Sequence, residues 1–200
     1  MNALLVDSPI ANLASIAGAL REVGATVEVS ADPARIAVAE RIVLPGVGSF
    51  APAMRWLDGS GTGVALRRAA WNGAAILGVC LGQQLLFESS EEGDSAPGLA
   101  LLGGAVRRLP PDLPLPLIGW NAVGFAADPL FDGIRSGQEF YFVHSFRADA
   151  ADPDDVVATA SYGEAYPAAV RRARICGVQF HPEKSSAAGL RVLANFMERI

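Results

Sequence analysis

The stretch AAILGVCLGQQLLF, Ala74 to Phe87, decides how this chain is read, because a near-continuous apolar run meets a second apolar pattern at one cysteine, Cys80. A run such as Ala74 to Cys80 suits a central strand, which is buried on both faces and so shows no polar alternation. Directly behind it, Leu81, Leu85 and Leu86 are available to pack a helix. A strand that passes straight into a helix is the repeating unit of a parallel sheet covered by helices.

Toward the amino terminus the same alternation recurs. ALLVD (Ala3 to Asp7), ATVEVS (Ala25 to Ser30) and RIVLP (Arg41 to Pro45) read as strands. Between the first two, Leu13, Ile16, Ala17 and Leu20 fall on one helical face that ends at Gly24. Asp32-Pro33 starts a short helix, with a capping side chain followed by a proline at the first turn. Further helical stretches are expected around Met54 to Leu57 and from Val64 to Trp71. From Gly93 onward the texture changes to strands punctuated by Pro and Gly: AVRRL, PLIGWNAVGF, EFYFVHSF, VVATA, PAAVRR and RICGVQF. A last helix is expected from Ser186 to Glu198, carrying Leu190, Leu193, Ala194 and Met197. ESSEEGDSAPG (Glu88 to Gly98) reads as a long solvated loop.

Of the 200 residues 51% are hydrophobic and 18% charged, enough apolar material for one sizeable core, so residues 1–200 are expected to form a single domain. Nucleic-acid binders hold phosphates with clustered cations. Here the net charge is −5, and Arg67-Arg68, Arg107-Arg108 and Arg171-Arg172 are isolated pairs, read as solvated faces. No apolar run reaches the roughly twenty residues of a membrane span, and MNALLVD does not resemble a secretion signal, so a cytoplasmic protein is expected. Two cysteines make no disulfide framework, and no Cys/His cluster has metal-ligand spacing.

In an open α/β sheet, ligands collect outside the carboxyl ends of the strands. Cys80 sits at such an end. A sharp strand-to-helix turn exposes the side chain at its apex and aims the following N–H groups at an incoming oxyanion. Gly78 and Gly82 flank the turn with residues that allow close approach, and a helix start favours a thiolate. The competing reading is packing, since free cysteines are among the most buried residues. Cys176, within RICGVQF and without such a turn, is assigned to packing. A nucleophilic cysteine needs a base, and the chain has two histidines. His181 follows the strand GVQF, and Pro182 stiffens the link to Glu183, whose carboxylate could then fix the imidazole tautomer. His144 ends another apolar strand and reads as an imidazole satisfied by neighbouring backbone. PGVGSF (Pro45 to Phe50) offers backbone N–H groups as anion donors, without the form of a phosphate loop or a dinucleotide fingerprint.

GVCLGQQLLF and GVQFHPEKS, in this order and spacing, resemble the class I, or triad, glutamine amidotransferases. Four further stretches are similar to the glutaminase subunits of imidazole glycerol phosphate synthases: LPGVGSF (Leu44 to Phe50), IGWN (Ile118 to Asn121), YFVHSF (Tyr141 to Phe146) and HPEKS (His181 to Ser185). The resemblance spans nearly the whole chain. It implies an α/β, flavodoxin-like domain with a mainly parallel central sheet flanked by helices and extra short antiparallel strands in the second half. It also implies hydrolysis of L-glutamine, with ammonia passed to a TIM-barrel cyclase partner in a heterodimer of histidine biosynthesis, without cofactor or metal. Carried over by position, Cys80 is the nucleophile, His181 the general base and acid, and Glu183 its orienting partner. Gly48, Gln84, Ser145 and Phe146 would hold glutamine, while Val47, Gly48 and Leu81 would form the oxyanion hole. Asn12, Trp120 and Asn121 would lie near the cyclase interface, and Gln83, where the family commonly has Met, would be a bystander.

One loop departs from that pattern. The family has Asp-Tyr-Gly-x-Gly-Asn-Leu where this chain has DSPIANL (Asp7 to Leu13), so Ser8, Pro9 and Ala11 replace a tyrosine and two glycines. Proline fixes φ and alanine resists positive φ, so a different loop backbone is expected. Alternative readings are an amidotransferase subunit of another synthase, a stand-alone cysteine hydrolase on the same fold, and a catalytically silent binding module.

Overall fold

The computed structural model describes residues 1–9, 12–93 and 96–200. Its first half runs β1 (Asn2–Val6), α1 (Leu13–Glu22), β2 (Thr26–Ser30), α2 (Pro33–Ile36), β3 (Arg41–Gly46), α3 (Phe50–Gly59), α4 (Thr62–Trp71), β4 (Ala75–Cys80) and α5 (Leu81–Leu85). This is the expected alternation, with α3 longer than its apolar signal. Ile16, Ala17 and Leu20 are the buried face of α1, and Asp32 caps α2 by accepting the Ala34 N–H at 2.9 Å.

The second half adds β5 (Ser89–Ser90), β6 (Ala96–Pro97), β7 (Gly104–Arg108), β8 (Leu117–Phe125), β9 (Gln138–His144), β10 (Phe146–Ala150), β11 (Val156–Tyr162), β12 (Glu164–Arg172), β13 (Ile175–Val178) and α6 (Ser186–Arg199). The larger sheet has nine strands in the order β2-β1-β3-β4-β13-β12-β11-β8-β9. Pairing is parallel from β2 across to β13 and antiparallel beyond it. The extra antiparallel strands range from two residues in β5 and β6 to nine in β8 and β12. A second sheet, β10-β7-β5-β6, stands apart. EFYFVHSF therefore divides at Ser145, where the chain leaves the large sheet and enters the small one.

Alternation along the strands sends side chains into two apolar layers. Leu5, Leu77 and Val79 pack with Ile16, Leu20, Val192 and Phe196 on the α1 and α6 side. Leu4, Val6 and Ile76 pack with Phe50, Met54, Leu57 and Leu66 on the other side. The helices cover the parallel strands, so β4 is buried along its whole length.

Two expectations need correction. The Glu88 to Gly98 segment is not simply a solvated loop: its two ends pair as β5 and β6, Ser90 is buried, and Glu92 accepts the Phe50 N–H at 2.8 Å. Asp94 and Ser95 of that segment, like Ile10 and Ala11 of DSPIANL, lie outside the described residues. Nor are all the arginine pairs mere solvated faces. Arg171 and Arg172 hold the nearly buried carboxylates of Asp128 and Asp155 at 2.7 and 2.6 Å, since a buried carboxylate needs a charged partner.

The β4–α5 junction allows no side chain at residues 78 and 82. A Cβ at Gly82 would run into the Leu44 carbonyl of β3, and one at Gly78 into the Gly82 backbone. Gly82→Ala must therefore push α5 off the sheet, and is expected to lower the free energy of unfolding, measured in a urea melt, by roughly 1–3 kcal/mol or more. Gly18→Ala is the control: it lies on exposed α1 surface with nothing within 4 Å of the new methyl, so it should leave stability level or raise it by about 0.5–1 kcal/mol.

Candidate active site

Three neighbouring strands deliver the site at their carboxyl ends. Gly46 of β3 lies in register with Cys80 of β4, and Val178 of β13 with Val79. Beyond β13 come Gln179, Phe180 and His181, and the His181 N–H is anchored on the Tyr141 carbonyl of β9 at 2.9 Å. Cys80 ends β4 with φ 55° and ψ −111°, a left-handed conformation rare for a residue with a Cβ. Such strain costs about 1–3 kcal/mol and is kept where it serves a site. Sγ lies 3.8 Å from the Val143 carbonyl.

The His181–Glu183 link forms because Pro182–Lys184 is a 3-10 turn, which folds the carboxylate back onto the ring. His181 Nδ1–H donates to Glu183 Oε1 at 2.9 Å, leaving Nε2 free to take or give a proton. Burial pushes the His181 pKa down, but Cys80 and Glu183 beside the ring outweigh it and raise it to about 10. An imidazole so placed is positioned to accept a proton from the neighbouring thiol.

These groups open on a cavity of about 270 Å³ lined by Val47, Gly48, Cys80, Leu81, Gln84, Glu92, Val143, His144, Ser145 and His181, among others. Every residue expected at the nucleophile, substrate and oxyanion positions lines it except Glu183, which stands behind His181. A hollow of about 580 Å³ at the amino ends of β1 and β2 is larger but has neither cysteine nor histidine on its walls. Leu81 opens α5, where N–H groups lack partners within the helix. Gly48 holds φ at 93° in the adjoining turn.

Gln84 is more constrained than its position in the sequence suggested. Its Nε2 donates to the Phe146 carbonyl at 2.8 Å and to Gln179 Oε1 at 3.0 Å. Both amide protons are then engaged, and only Oε1 is left to offer a ligand. The Ser145 and Phe146 carbonyls are likewise taken, by Leu109 N–H and by Gln84 with His144. His144 is backbone-satisfied at Nδ1, which donates to Phe146 O at 2.9 Å, whereas its Nε2 is buried without a partner. Burial pushes its pKa down to about 4, aided by the nearby His181. Cys176 is fully buried and burial pushes its thiol up to about 12, as packing requires. Gln83 lies wholly inside, with neither end of its amide partnered.

Two residues of the site escaped the sequence reading. Glu92 was hidden in a polar run that looked like solvated loop, and Gln179 looked like one more strand residue. Only the spacing of Gln179, two residues before His181, hinted at it. Of the expected interface residues, Asn12 is exposed, and Trp120 and Asn121 face opposite sides of β8. Trp120 is half exposed beside Ile118, whereas Asn121 is partly buried and donates to the Ser161 carbonyl at 2.9 Å.

Comparison with known proteins agrees with this geometry. Residues 4–200 match the family model described as glutamine amidotransferase class-I. The chain is 48% identical over 194 residues to the imidazole glycerol phosphate synthase subunit HisH of Symbiobacterium thermophilum, covering 96% of this chain and 92% of that one. It is 46% identical to the protein of the same name from Moorella thermoacetica, covering 98% and 94%. Among solved structures, PurLQS from Thermotoga maritima superposes with a TM-score of 0.78 at 20% identity, covering 98% and 97% of the two chains. At that identity the likeness speaks for the fold. A Cys, His and Glu at the strand ends of this sheet, in a chain so close to HisH proteins, place it: the protein belongs to the class-I glutamine amidotransferases and, within them, to the HisH family of imidazole glycerol phosphate synthase subunits.

Proposed function

We propose that the chain hydrolyses L-glutamine with Cys80, His181 and Glu183 and hands the ammonia to a TIM-barrel cyclase, making imidazole glycerol phosphate and aminoimidazole carboxamide ribotide in histidine biosynthesis. The observation that carries this reading is a strained Cys80 beside a His181–Glu183 pair on one cavity, in a relative of HisH proteins. Residues 1–200 act as one amidotransferase domain, in the cytoplasm. No helix among the described residues is long and apolar enough to cross a membrane.

His181 Nε2 takes the Cys80 proton, and Sγ adds to the side-chain carbonyl carbon of glutamine. The carbonyl electron pair moves to oxygen, where the N–H of Leu81 and those of the Val47–Gly48 turn receive it. Collapse of this adduct breaks the C–N bond, and the proton held on His181 leaves with the nitrogen as ammonia. Water, deprotonated by His181, then cleaves the glutamyl thioester and returns the proton to Sγ. Glu183 keeps Nδ1–H in place throughout. At the other end of the substrate, Gln84 Oε1 and the Glu92 carboxylate both accept hydrogen bonds, which suits an α-ammonium group; Ser145 supplies a hydroxyl.

Free ammonia escapes or is protonated in water, so the reaction calls for a closed junction with the consumer. Ile118 and Trp120, 62% and 50% exposed on one face of β8, with Val47 at 42%, give the cyclase an apolar footing. Burying them in an interface would be favourable.

Cys80→Ala is expected to abolish glutamine-dependent product formation in the reconstituted complex while ammonia-dependent formation persists. Retained glutamine use would overturn the nucleophile assignment, and wild-type turnover of glutamyl peptides without a partner would favour a stand-alone hydrolase. Glu92→Gln keeps an acceptor for the Phe50 N–H but removes the charge, so KM for glutamine should rise roughly ten- to hundredfold with kcat changed less. His144 should stay neutral to about pH 4, read from its ring resonances by NMR. Because its folded pKa lies below the unfolded value of about 6.5, this group leaves stability untouched above that pH and erodes it as pH falls toward 4.

A further inference from the structure

Two residues before His181, Gln179 is completely buried, and its backbone N–H is fixed on the Ala168 carbonyl at 2.8 Å. We infer that Gln179 is a further residue of the reacting centre: its side-chain N–H, held in one orientation by Gln84, donates to Cys80 Sγ and steadies the thiolate on which the glutaminase reading rests.

The orientation follows from a chain of hydrogen bonds that can be assigned in only one sense. The Phe146 carbonyl can only accept, so the end of the Gln84 amide 2.8 Å from it is the NH₂. That same NH₂ faces Gln179 at 3.0 Å, so the atom it meets there is Oε1. Gln179 Nε2 is then turned to Cys80 Sγ, 3.8 Å away, within reach of a hydrogen bond to sulfur. Flipping either amide would set oxygen against oxygen or NH₂ against NH₂ inside a dry core, where an unmade hydrogen bond is costly.

The contact matters most once the thiol has lost its proton. In the thiol form Sγ–H points at the Val143 carbonyl. After transfer to His181, that carbonyl faces a thiolate with no hydrogen between them, which is repulsive. Apart from the imidazolium, Gln179 Nε2–H is the one hydrogen-bond donor to Sγ among the described residues, and hydrogen bonds to charged acceptors are the strong ones. The remaining titratable groups on the cavity are His144, which burial keeps neutral, and Glu92, while Glu183 stands behind His181. None of these donates to Sγ. Gln84 thus has two roles, showing Oε1 to the cavity and setting the amide that supports the sulfur.

The test uses the full chain and iodoacetamide, which needs neither substrate nor partner. Gln179→Met keeps length and removes the donor. Alkylation of Cys80 at neutral pH should slow about tenfold, and its pH midpoint should move upward, both read well below the melting temperature, which itself falls because the Gln84 NH₂ loses its acceptor. Cys176, fully buried, stays unlabelled. In complex with the cyclase, kcat for glutamine should fall with KM largely unchanged. On the wild-type chain, the Gln179 side-chain amide resonances should move with pH in step with the alkylation profile, and Cys80→Ala should remove that movement. A folded Gln179→Met chain with the wild-type alkylation profile would overturn the inference. If that variant does not fold, Gln179 resonances that ignore Cys80 ionisation would overturn it alone. Failure of a glutamine-analogue electrophile to label wild-type Cys80 would instead sink the glutaminase reading, a result separable from the other two.

Discussion

The main chain of α5 passes so close to β3 that nothing larger than a hydrogen fits on residue 82 beside the Leu44 carbonyl. That approach forces the chain to turn abruptly after β4, and the abrupt turn puts Cys80 at φ 55°. Left-handed backbone at a residue with a Cβ is held only by surroundings that fix both of its sides. Here those are the parallel ladder on one side, with Gly46 opposite Cys80, and the packed helix start on the other. The sulfur on the cavity wall and the start of α5 at Leu81 are both consequences of this one steric limit.

The alternating half of the fold was legible because its signals are local. A buried strand shows an unbroken apolar run, an amphipathic helix shows its stripe, and Asp32-Pro33 is its own cap. The antiparallel half was less so. A single apolar run, EFYFVHSF, serves two sheets, and no side chain announces that the ladder breaks at Ser145; the break depends on β7 offering a second edge, paired in register from Gly104 to Arg108. Glu92 illustrates the same limit for the site. Its polar neighbours mark it as solvent-facing, and only the fold brings it against the Phe50 N–H and the cavity.

The proposed trio of Cys80, His181 and Glu183 stood out in the sequence for a different reason. Cys80 ends one apolar run and His181 comes just after another, and a parallel sheet gathers strand ends on one side. What could not be read is the polar wiring behind them. Gln84, Gln179 and His144 each carry groups that could be satisfied in several ways, and which way is chosen depends on atoms from three different elements. Such networks raise the stakes of every member, because in a dry interior an unpaired group has no water to turn to. Gln83 shows the contrast, with an equally buried amide that the network leaves out.

The insertion of β13 between β4 and β12 has a consequence for how the protein comes into being. Cys80 and Gln179 are 99 residues apart, and the strand ends that carry them become neighbours only when β13, the last strand among the described residues, is in place. Long-range parallel pairing of this kind is slow to form, because the intervening chain must be closed before the contact rewards it. A ribosome-bound chain therefore carries its cysteine long before it carries a site. A chain that lacked β13 would leave β4 and β12 as open edges, an aggregation hazard rather than a stray hydrolase.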